Sequence, residues 1–352
     1  MTRPGRLNDS RADRMFAEIR EQPDRLEAAF AETIAKASEL KNRLDATDAV
    51  VLLGRGSSRA ACSYGAWALH RLARRPALVL SPAEVAWTDL ALPLERMLVV
   101  AVSQSGESHE LVQAARVSLE RGASLLAVTN TELSPLTAMV DNRTSVLRCC
   151  AGPEIAIPAT KSVTTAMACL LGLALAGDRT QLARSAAEVP RLLRRLLAAD
   201  ASGDDLAGFD AVILVGEGVG VAVAEEGAIK FREIAQLPAT SLELSEFLHG
   251  SINSAGPGVA VIALGLDDLS RGLAKQVVDA ATTRGAHAIM VGSPAVPGAR
   301  QNVVLPNVPP AWGAFLALAR LQELARSTGI ALGVDPDEPP GLTKVTVVGR
   351  GG

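Results

Sequence analysis

Short apolar runs, unbroken in AVVLL (49–53) and MLVVAV (97–102), mark candidate strands along the chain and alternate with segments of helical periodicity. In the first half they span 49–53, 77–80, 97–102, 124–128 and 144–148. In the second half they span 211–215, 239–242, 259–264, 286–291 and 301–305. Runs without polar interruption are typical of strands buried on both faces, as in a parallel sheet covered by helices. Between two runs, Leu111, Ala115 and Leu119 recur every fourth residue, which is the spacing of a helix face.

The two halves of this pattern are copies of each other. The segments Ala49–Ala73 and Ala211–Ala235 align without a gap at a constant offset of 211 − 49 = 162 residues, and Gly54 pairs with Gly216 in this register. An internal repeat of this length, built of alternating strands and helices, indicates that one fold occurs twice. The sequence therefore predicts an α/β protein with two tandem domains, each a doubly wound parallel sheet flanked by helices.

The segments around the two copies complete the predicted organisation. It consists of an N-terminal helical segment (1–45), a first domain (46–177), a helical connector rich in Leu and Arg (178–208), a second domain (209–332) and a tail rich in Pro and Gly (333–352). A chain of 352 residues has the length of two domains. Its hydrophobic fraction of 48% excludes a disordered chain, because enough apolar surface can be buried.

Charge and composition narrow the choice of partners. The chain has 35 basic and 38 acidic residues, and only 3% of its residues are aromatic, which argues against a nucleic-acid partner. The longest apolar run, Ala166–Ala176, is too short to span a bilayer, and the N-terminus lacks the apolar core of a secretory signal. We therefore expect a cytoplasmic protein that does not bind a membrane. Its four cysteines match no zinc pattern, and buried free thiols are expected.

The two copies differ in the loops that follow their strands, where open α/β sheets bind ligands. The first copy has GRGSS (54–58) and SQSGES (103–108), and the second has GEGVG (216–220) and GLDDLS (265–270). Hydroxyls, an amide and backbone N–H groups at a helix N-terminus favour a phosphate, whereas carboxylates repel one. The alternative is that SQSGES has only a structural role, as a turn followed by the N-cap of a helix. We expect the phosphate site in the first copy.

The first helix of the second copy carries charges instead. Glu226, Lys230 and Glu233 are spaced three and four apart and share one helix face. A carboxylate beside an ammonium can act as a general base with an electrostatic helper. The alternative is a solvated ladder of salt bridges.

Two further residues are candidates for chemistry. His249 follows the second strand of the second copy, where a structural role is the alternative. Lys344 stands between Thr and Val residues in the tail, which Pro and Gly residues stiffen. Such a lysine could supply a desolvated amine for Schiff-base chemistry, and terminal disorder is the alternative.

Together these segments resemble the two-domain form of the sugar isomerase (SIS) family. The resemblance includes AEIREQP (17–23), EIAIPATKSVTT (154–165), SEFLHG (245–250) and DPDEPPGLTKVT (335–346), in family order over nearly the whole chain. It is similar to the isomerase half of the glutamine–fructose-6-phosphate aminotransferases and especially to the glucosamine-6-phosphate deaminases of this fold. Ser251 replaces the proline that is usual after His-Gly, and Ala159 replaces a serine of the phosphate region.

The resemblance implies a role for each matching residue. The sugar phosphate would be bound by Ser57, Ser58, Ser103, Gln104, Ser105 and Ser108. Glu233 would move a proton between C1 and C2, Lys230 would stabilise the intermediate, His249 would open the sugar ring from a neighbouring subunit, and Lys344 would form an imine with the open-chain ketose. A homodimer with a shared active site is implied, and neither a metal nor an organic cofactor.

The function implied is an amino-sugar phosphate isomerase or deaminase. The reaction expected is conversion of glucosamine 6-phosphate to fructose 6-phosphate and ammonia, or its reverse with free ammonia. One alternative is a deglycase for a phosphorylated fructose–amine adduct, which would use the same residues. The other is a phosphosugar sensor without catalysis. The presence of Glu233, His249 and Lys344 together favours an enzyme.

Overall fold

In a computed structural model, the chain forms two separate five-stranded sheets in which all strands are parallel. The structure describes residues 13–88, 91–139, 141, 144–199 and 205–344. The first sheet consists of β1 (Ala49–Leu53), β2 (Ala77–Leu80), β3 (Met97–Ser103), β4 (Ser124–Thr129) and β5 (Thr144–Arg148). The second consists of β6 (Ala211–Gly216), β7 (Ala239–Glu243), β8 (Val259–Gly265), β9 (His287–Gly292) and β10 (Gln301–Val304). The predicted α/β fold class is confirmed.

Helices connect the strands on both sides. Those before the second sheet are α1 (Asp13–Asp45), α2 (Ser57–Ala68), α3 (Pro82–Trp87), α4 (His109–Glu120), α5 (Lys161–Ala174) and α6 (Arg179–Ala198). Those that follow are α7 (Val219–Ile234), α8 (Leu244–His249), α9 (Asp268–Thr283) and α10 (Pro310–Ala331). Helix α1 lies in the predicted N-terminal segment and α6 in the predicted connector. The exact domain boundaries stay predictions.

The internal repeat is visible in the strand register. The strand orders are β2-β1-β3-β4-β5 and β7-β6-β8-β9-β10, so that equivalent strands of the repeat occupy the same place in both sheets. Val50 pairs with Ala77 in the first sheet and Val212 pairs with Ala239 in the second, so both partners keep the offset of 162. The offset grows by one at the fourth strand of each sheet. Leu98 pairs with Ser124, whereas Ala260, its equivalent, pairs with His287, and 287 − 124 = 163.

The chain divides into two compact units. Among the described residues, the sheet-1 unit comprises Glu21–Glu154, Lys161–Pro190, Thr343 and Lys344, and the sheet-2 unit comprises 13–20, Ile155–Thr160 and Arg191–Leu342. In the sheet-1 unit, one face of the sheet packs under α3 and α4 through buried Val51, Val99 and Leu125.

The strand order locates a crevice in the sheet-1 unit. Strand β1 connects to β2 on one side, and the chain then returns to place β3 on the other side of β1. At such a switch point the loops leave in opposite directions, and a gap opens beyond the carboxyl ends of the two strands. The loops at this gap are 54–56 between β1 and α2 and 104–108 between β3 and α4.

The cysteines and the membrane expectation can now be compared with the structure. Cys62, Cys149 and Cys169 are buried free thiols, as predicted. Cys150 corrects the prediction, because it is only half-buried where the chain turns after β5 with a φ of 55°. No helix within the described ranges combines the length and the apolar character needed to cross a bilayer.

Candidate active site

A tight turn joins β1 to α2 at the crevice. Gly56 precedes α2 with a φ of 52°, and its counterpart Gly218 precedes α7 with a φ of 56°. This left-handed backbone favours glycine in both copies. The turn is also close-packed, because a Cβ on Gly54 would lie 2.7 Å from the backbone oxygen of Ser58. The geometry therefore requires the G-x-G pattern in the first copy, whatever the loop binds.

The loop after β3 is held by its own serines. The Ser103 hydroxyl accepts a hydrogen bond from the Gly106 N–H at 3.0 Å, and the Ser105 hydroxyl accepts one from the Glu107 N–H at 3.3 Å. Ser108 precedes α4, and its hydroxyl makes no capping hydrogen bond to that helix. The N-terminal turn of α4 thus faces the loop without a side-chain cap from Ser108, which suits an anion ligand.

The corresponding helix end in the second copy is closed by a carboxylate. Asp267 stands at the position equivalent to Ser105, since 105 + 162 = 267. Its carboxylate accepts a hydrogen bond from the Ser270 N–H at 2.7 Å, and the Ser270 hydroxyl accepts one in return from the Asp267 N–H at 2.9 Å. This capping box places a negative charge where a phosphate would bind. The observation supports the prediction that only the first copy is built for an anion.

The loops of the sheet-1 unit enclose a cavity of about 450 Å³. This volume lies within the usual range of small-molecule sites. The residues predicted from the sequence that line it are Ser58, Ser103, Gln104, Ser105, Ser108 and Lys344. Ser57 begins α2 and is not among the described residues that line the cavity. Five hydroxyl or amide side chains and one amine therefore face a common space.

An ion pair in this cavity was not predicted. The guanidinium of Arg55 contacts the carboxylate of Glu110, and both residues line the cavity. The Glu110 side chain is buried in the first turn of α4, where its charge alone would oppose a phosphate. Arg55 compensates that charge. The only signal in the sequence was a basic residue inside the GRGSS loop, and its partner could be recognised only from the fold.

Lys344 has a buried partner that sequence reasoning also missed. Its Nζ atom donates to Oε2 of Glu154 at 2.9 Å, and the Glu154 side chain is 1% exposed. Ser162 donates to the same carboxylate through its N–H at 3.0 Å and its hydroxyl at 2.7 Å. Burial works to raise the pKa of Glu154, but the Lys344 charge and the Ser162 hydrogen bonds outweigh it, so that the pKa lies below its ordinary value.

The predicted acid–base residues lie in the sheet-2 unit, on α7. Lys230 is fully buried, and its Nζ atom lies 2.6 Å from Oε2 of Glu233 and 3.4 Å from Oε1 of Glu226. Glu226 is also buried, whereas 31% of the Glu233 side chain is exposed. The alternative of a solvated ladder is therefore wrong, because two of its three members are removed from water. Glu233 is the member that solvent or a substrate can reach.

His249 lies at the end of α8 in the same unit and is exposed. No hydrogen bond or ion pair of its side chain occurs among the described residues. A structural role for this histidine thus finds no support in the geometry. Its role in ring opening, supplied from a second subunit, stays a prediction.

Comparison with known proteins identifies the family. The model of the SIS domain matches residues 44–176 and 206–320. The chain belongs to the SIS domain family. A glutamine–fructose-6-phosphate aminotransferase (isomerizing) of Pyrobaculum aerophilum is 32% identical over 360 residues, which cover 95% of this chain. This chain spans 57% of the length of that relative.

Two solved structures show the same fold. The C-terminal domain of glucosamine-fructose-6-phosphate aminotransferase from Francisella tularensis has a TM-score of 0.80 at 21% identity, over 92% of this chain and 98% of that one. Glucosamine-6-phosphate deaminase from Thermotoga maritima has a TM-score of 0.75 at 23% identity, over 95% of this chain and all of that one (100%). The two SIS matches in this chain contain its two sheets.

Proposed function

We propose that this SIS protein is an amino-sugar phosphate isomerase or deaminase that converts glucosamine 6-phosphate to fructose 6-phosphate and ammonia, or runs the reverse reaction with free ammonia. The observation that carries the proposal is the cavity of the sheet-1 unit, which combines hydroxyls and an amide at the N-terminus of α4 with the amine of Lys344. A phosphate and a carbonyl are the two groups of a keto-sugar phosphate that such a pair would hold.

The phosphate serves as a handle. Ser58, Ser103, Gln104, Ser105 and Ser108 would bind it, and the binding energy of this unreactive group would position the sugar chain for reaction. His249 of a second subunit would open the ring by moving the proton of the C1 hydroxyl to the ring oxygen. A homodimer is therefore part of the proposal, with His249 supplied by the partner.

Glu233 would carry the isomerisation. Its carboxylate takes the proton from C2 of the open-chain aldose and returns it to C1, while one amine proton passes to the C1 oxygen, so that the C1 aldehyde becomes an alcohol and the C2 amine becomes an imine. Lys230 remains beside this carboxylate and stabilises the negative charge that develops on the sugar intermediate during the proton transfer. The Lys344 amine then replaces ammonia at C2, and water releases the ketose and restores the free amine.

The test is incubation of the purified protein with glucosamine 6-phosphate and measurement of ammonia and fructose 6-phosphate. Release of both supports the proposal. Release of an amine from a phosphorylated fructosamine, but no ammonia from glucosamine 6-phosphate, would assign the deglycase instead. Binding of both compounds by calorimetry without turnover of either would assign a phosphosugar sensor.

A further inference from the structure

The tail lysine and a buried glutamate form a pair that joins distant parts of the chain. Lys344 and Glu154 are 190 positions apart in the sequence, and both belong to the sheet-1 unit. Glu154 lies in the loop between β5 and α5, and its carboxylate accepts hydrogen bonds from the N–H and the hydroxyl of Ser162 as well as from Lys344. Ser162 thus orients the carboxylate that Lys344 contacts.

Other charges at this cavity do not replace Glu154 as a partner. Arg55 and Glu110 neutralise each other, and Glu107 is exposed, so that water screens its charge. The lowered pKa of Glu154 keeps its carboxylate ionised at neutral pH. The Lys344 side chain is 27% exposed and lines the cavity, while its Nζ atom is bound by the buried carboxylate of Glu154.

We propose that Glu154 is the positioning residue and counter-ion of Lys344: it holds the tail amine at the cavity and stabilises the cationic imine formed there. The imine part of this inference rests on the proposed function. The pairing itself does not, because it requires only that the amine be held by a buried carboxylate.

The chemistry explains why a fixed anion is useful at this position. When Lys344 reacts with a ketose, its nitrogen forms a bond to C2, the C2 oxygen leaves as water, and the ammonium and the ketone become a protonated imine. One positive charge is present before and after the step, so a carboxylate 2.9 Å from the nitrogen stabilises both states. A neutral side chain at this position would leave the positive charge of the imine without a counter-ion.

The test compares the full-length wild type with Glu154→Gln and with a matched control, Glu21→Gln. Glu21 also pairs with a lysine at 2.9 Å in the sheet-1 unit, but that lysine is Lys161, which does not line the cavity. Imine formation with fructose 6-phosphate is trapped by borohydride and located by mass spectrometry. We expect at least about a tenfold loss of labelled Lys344 in Glu154→Gln, because the amine is then no longer held at the cavity where the sugar binds, and no loss in Glu21→Gln.

A second measurement does not depend on turnover. An amine-directed acylating reagent should modify Lys344 about ten times faster in Glu154→Gln than in the wild type at the same pH, because the amine is no longer bound to a buried carboxylate. The rate should stay unchanged in Glu21→Gln. If Glu154→Gln does not fold, as judged by circular dichroism, Glu154→Asp replaces it. This variant withdraws the charge by one methylene and should give an intermediate rate.

The outcomes separate the two claims. Equal trapping and equal modification in wild type and Glu154 variants would overturn the inference and leave the proposed function standing. If the wild type traps no keto- or amino-sugar phosphate at Lys344, the imine mechanism fails. The modification rates then decide the pairing alone: a rise in the Glu154 variant supports it and an unchanged rate refutes it.

Discussion

Lys230 shows how one buried side chain depends on its neighbours. A fully buried ammonium is tolerated because Glu233 and Glu226 lie within ion-pair distance on the same helix. Substitution of the lysine leaves the buried Glu226 carboxylate without its cation.

We expect Lys230→Met to lower the free energy of unfolding by about 3 kcal/mol, measured by urea denaturation. The matched control is Lys275→Met, which removes an exposed pair with Asp279 and should cost at most about 0.5 kcal/mol. Equal losses in the two variants would show that burial of the Lys230 pair contributes nothing.

The proposed base can be removed without changing the shape of the site. Glu233→Gln should reduce solvent-proton exchange at C1 and C2 of the sugar by at least about a hundredfold, because the amide cannot accept the proton. The affinity for sugar phosphate should remain within about twofold, since the phosphate residues lie elsewhere. Proton exchange is measured by NMR in deuterated water. Normal exchange in this variant would refute the assignment of Glu233.

The lowered pKa of Glu154 makes a prediction about acid stability. A carboxyl whose pKa is lowered by folding stabilises the fold above its unfolded-state value, about 4.3 for glutamate, and this contribution is lost as the pH falls through the folded-state pKa. The unfolding free energy of the wild type should therefore fall more between about pH 6 and pH 3.5 than that of Glu154→Gln. Parallel urea titrations at both pH values check this, and equal falls would contradict it.

At the scale of the element, the same helix start has two uses. Helix α4 begins at His109 after a loop of serines, whereas α9 begins at Asp268 after the Asp267 cap, three residues earlier in the repeat, since 268 − 162 = 106. Aspartate at Ser105, the position equivalent to Asp267, would place a carboxylate in the loop before α4.

Ser105→Asp should weaken binding of fructose 6-phosphate by at least about tenfold, measured by calorimetry, because a carboxylate then occupies the anion position. Ser105→Ala serves as comparison and should lose less, since it removes only a hydroxyl. Asp267→Ala should leave binding unchanged and cost about 1 kcal/mol of stability through the lost cap. Tight binding by the Ser105→Asp protein would show that the phosphate binds elsewhere.

The strands were largely predictable from local pattern. Every predicted strand exists, and their ends agree to within one residue. The central strands follow unbroken apolar runs, such as 49–53 and 97–102, which suit burial on both faces of a covered parallel sheet. The end of β3 is informative: the strand includes Ser103, which the pattern assigned to the loop. Hydrogen bonding to β4 extends the strand over this polar residue, since Ser103 pairs with Thr129.

At the scale of the whole molecule, the proposal requires two subunits. If His249 acts on the substrate of its partner, then a Glu233→Gln chain and a His249→Asn chain should restore one intact site in each mixed dimer. With random mixing, about a quarter of the wild-type activity should return, because half of the dimers are mixed and one site in two is intact. Ammonia release after mixing and re-equilibration measures this. No recovery, with mixed dimers present, would place both residues in one chain's site.

The sequence by itself determined the two sheets, their repeat and the loops that carry hydroxyls. These features follow from local rules, since the spacing of apolar residues determines which faces are buried and the turns demand glycine. It did not determine that Lys344 meets Glu154 or that Arg55 meets Glu110, because neither pair shares a local pattern. Only tertiary packing decided these pairs, since a buried carboxylate must find a cation wherever the folded chain brings one within reach.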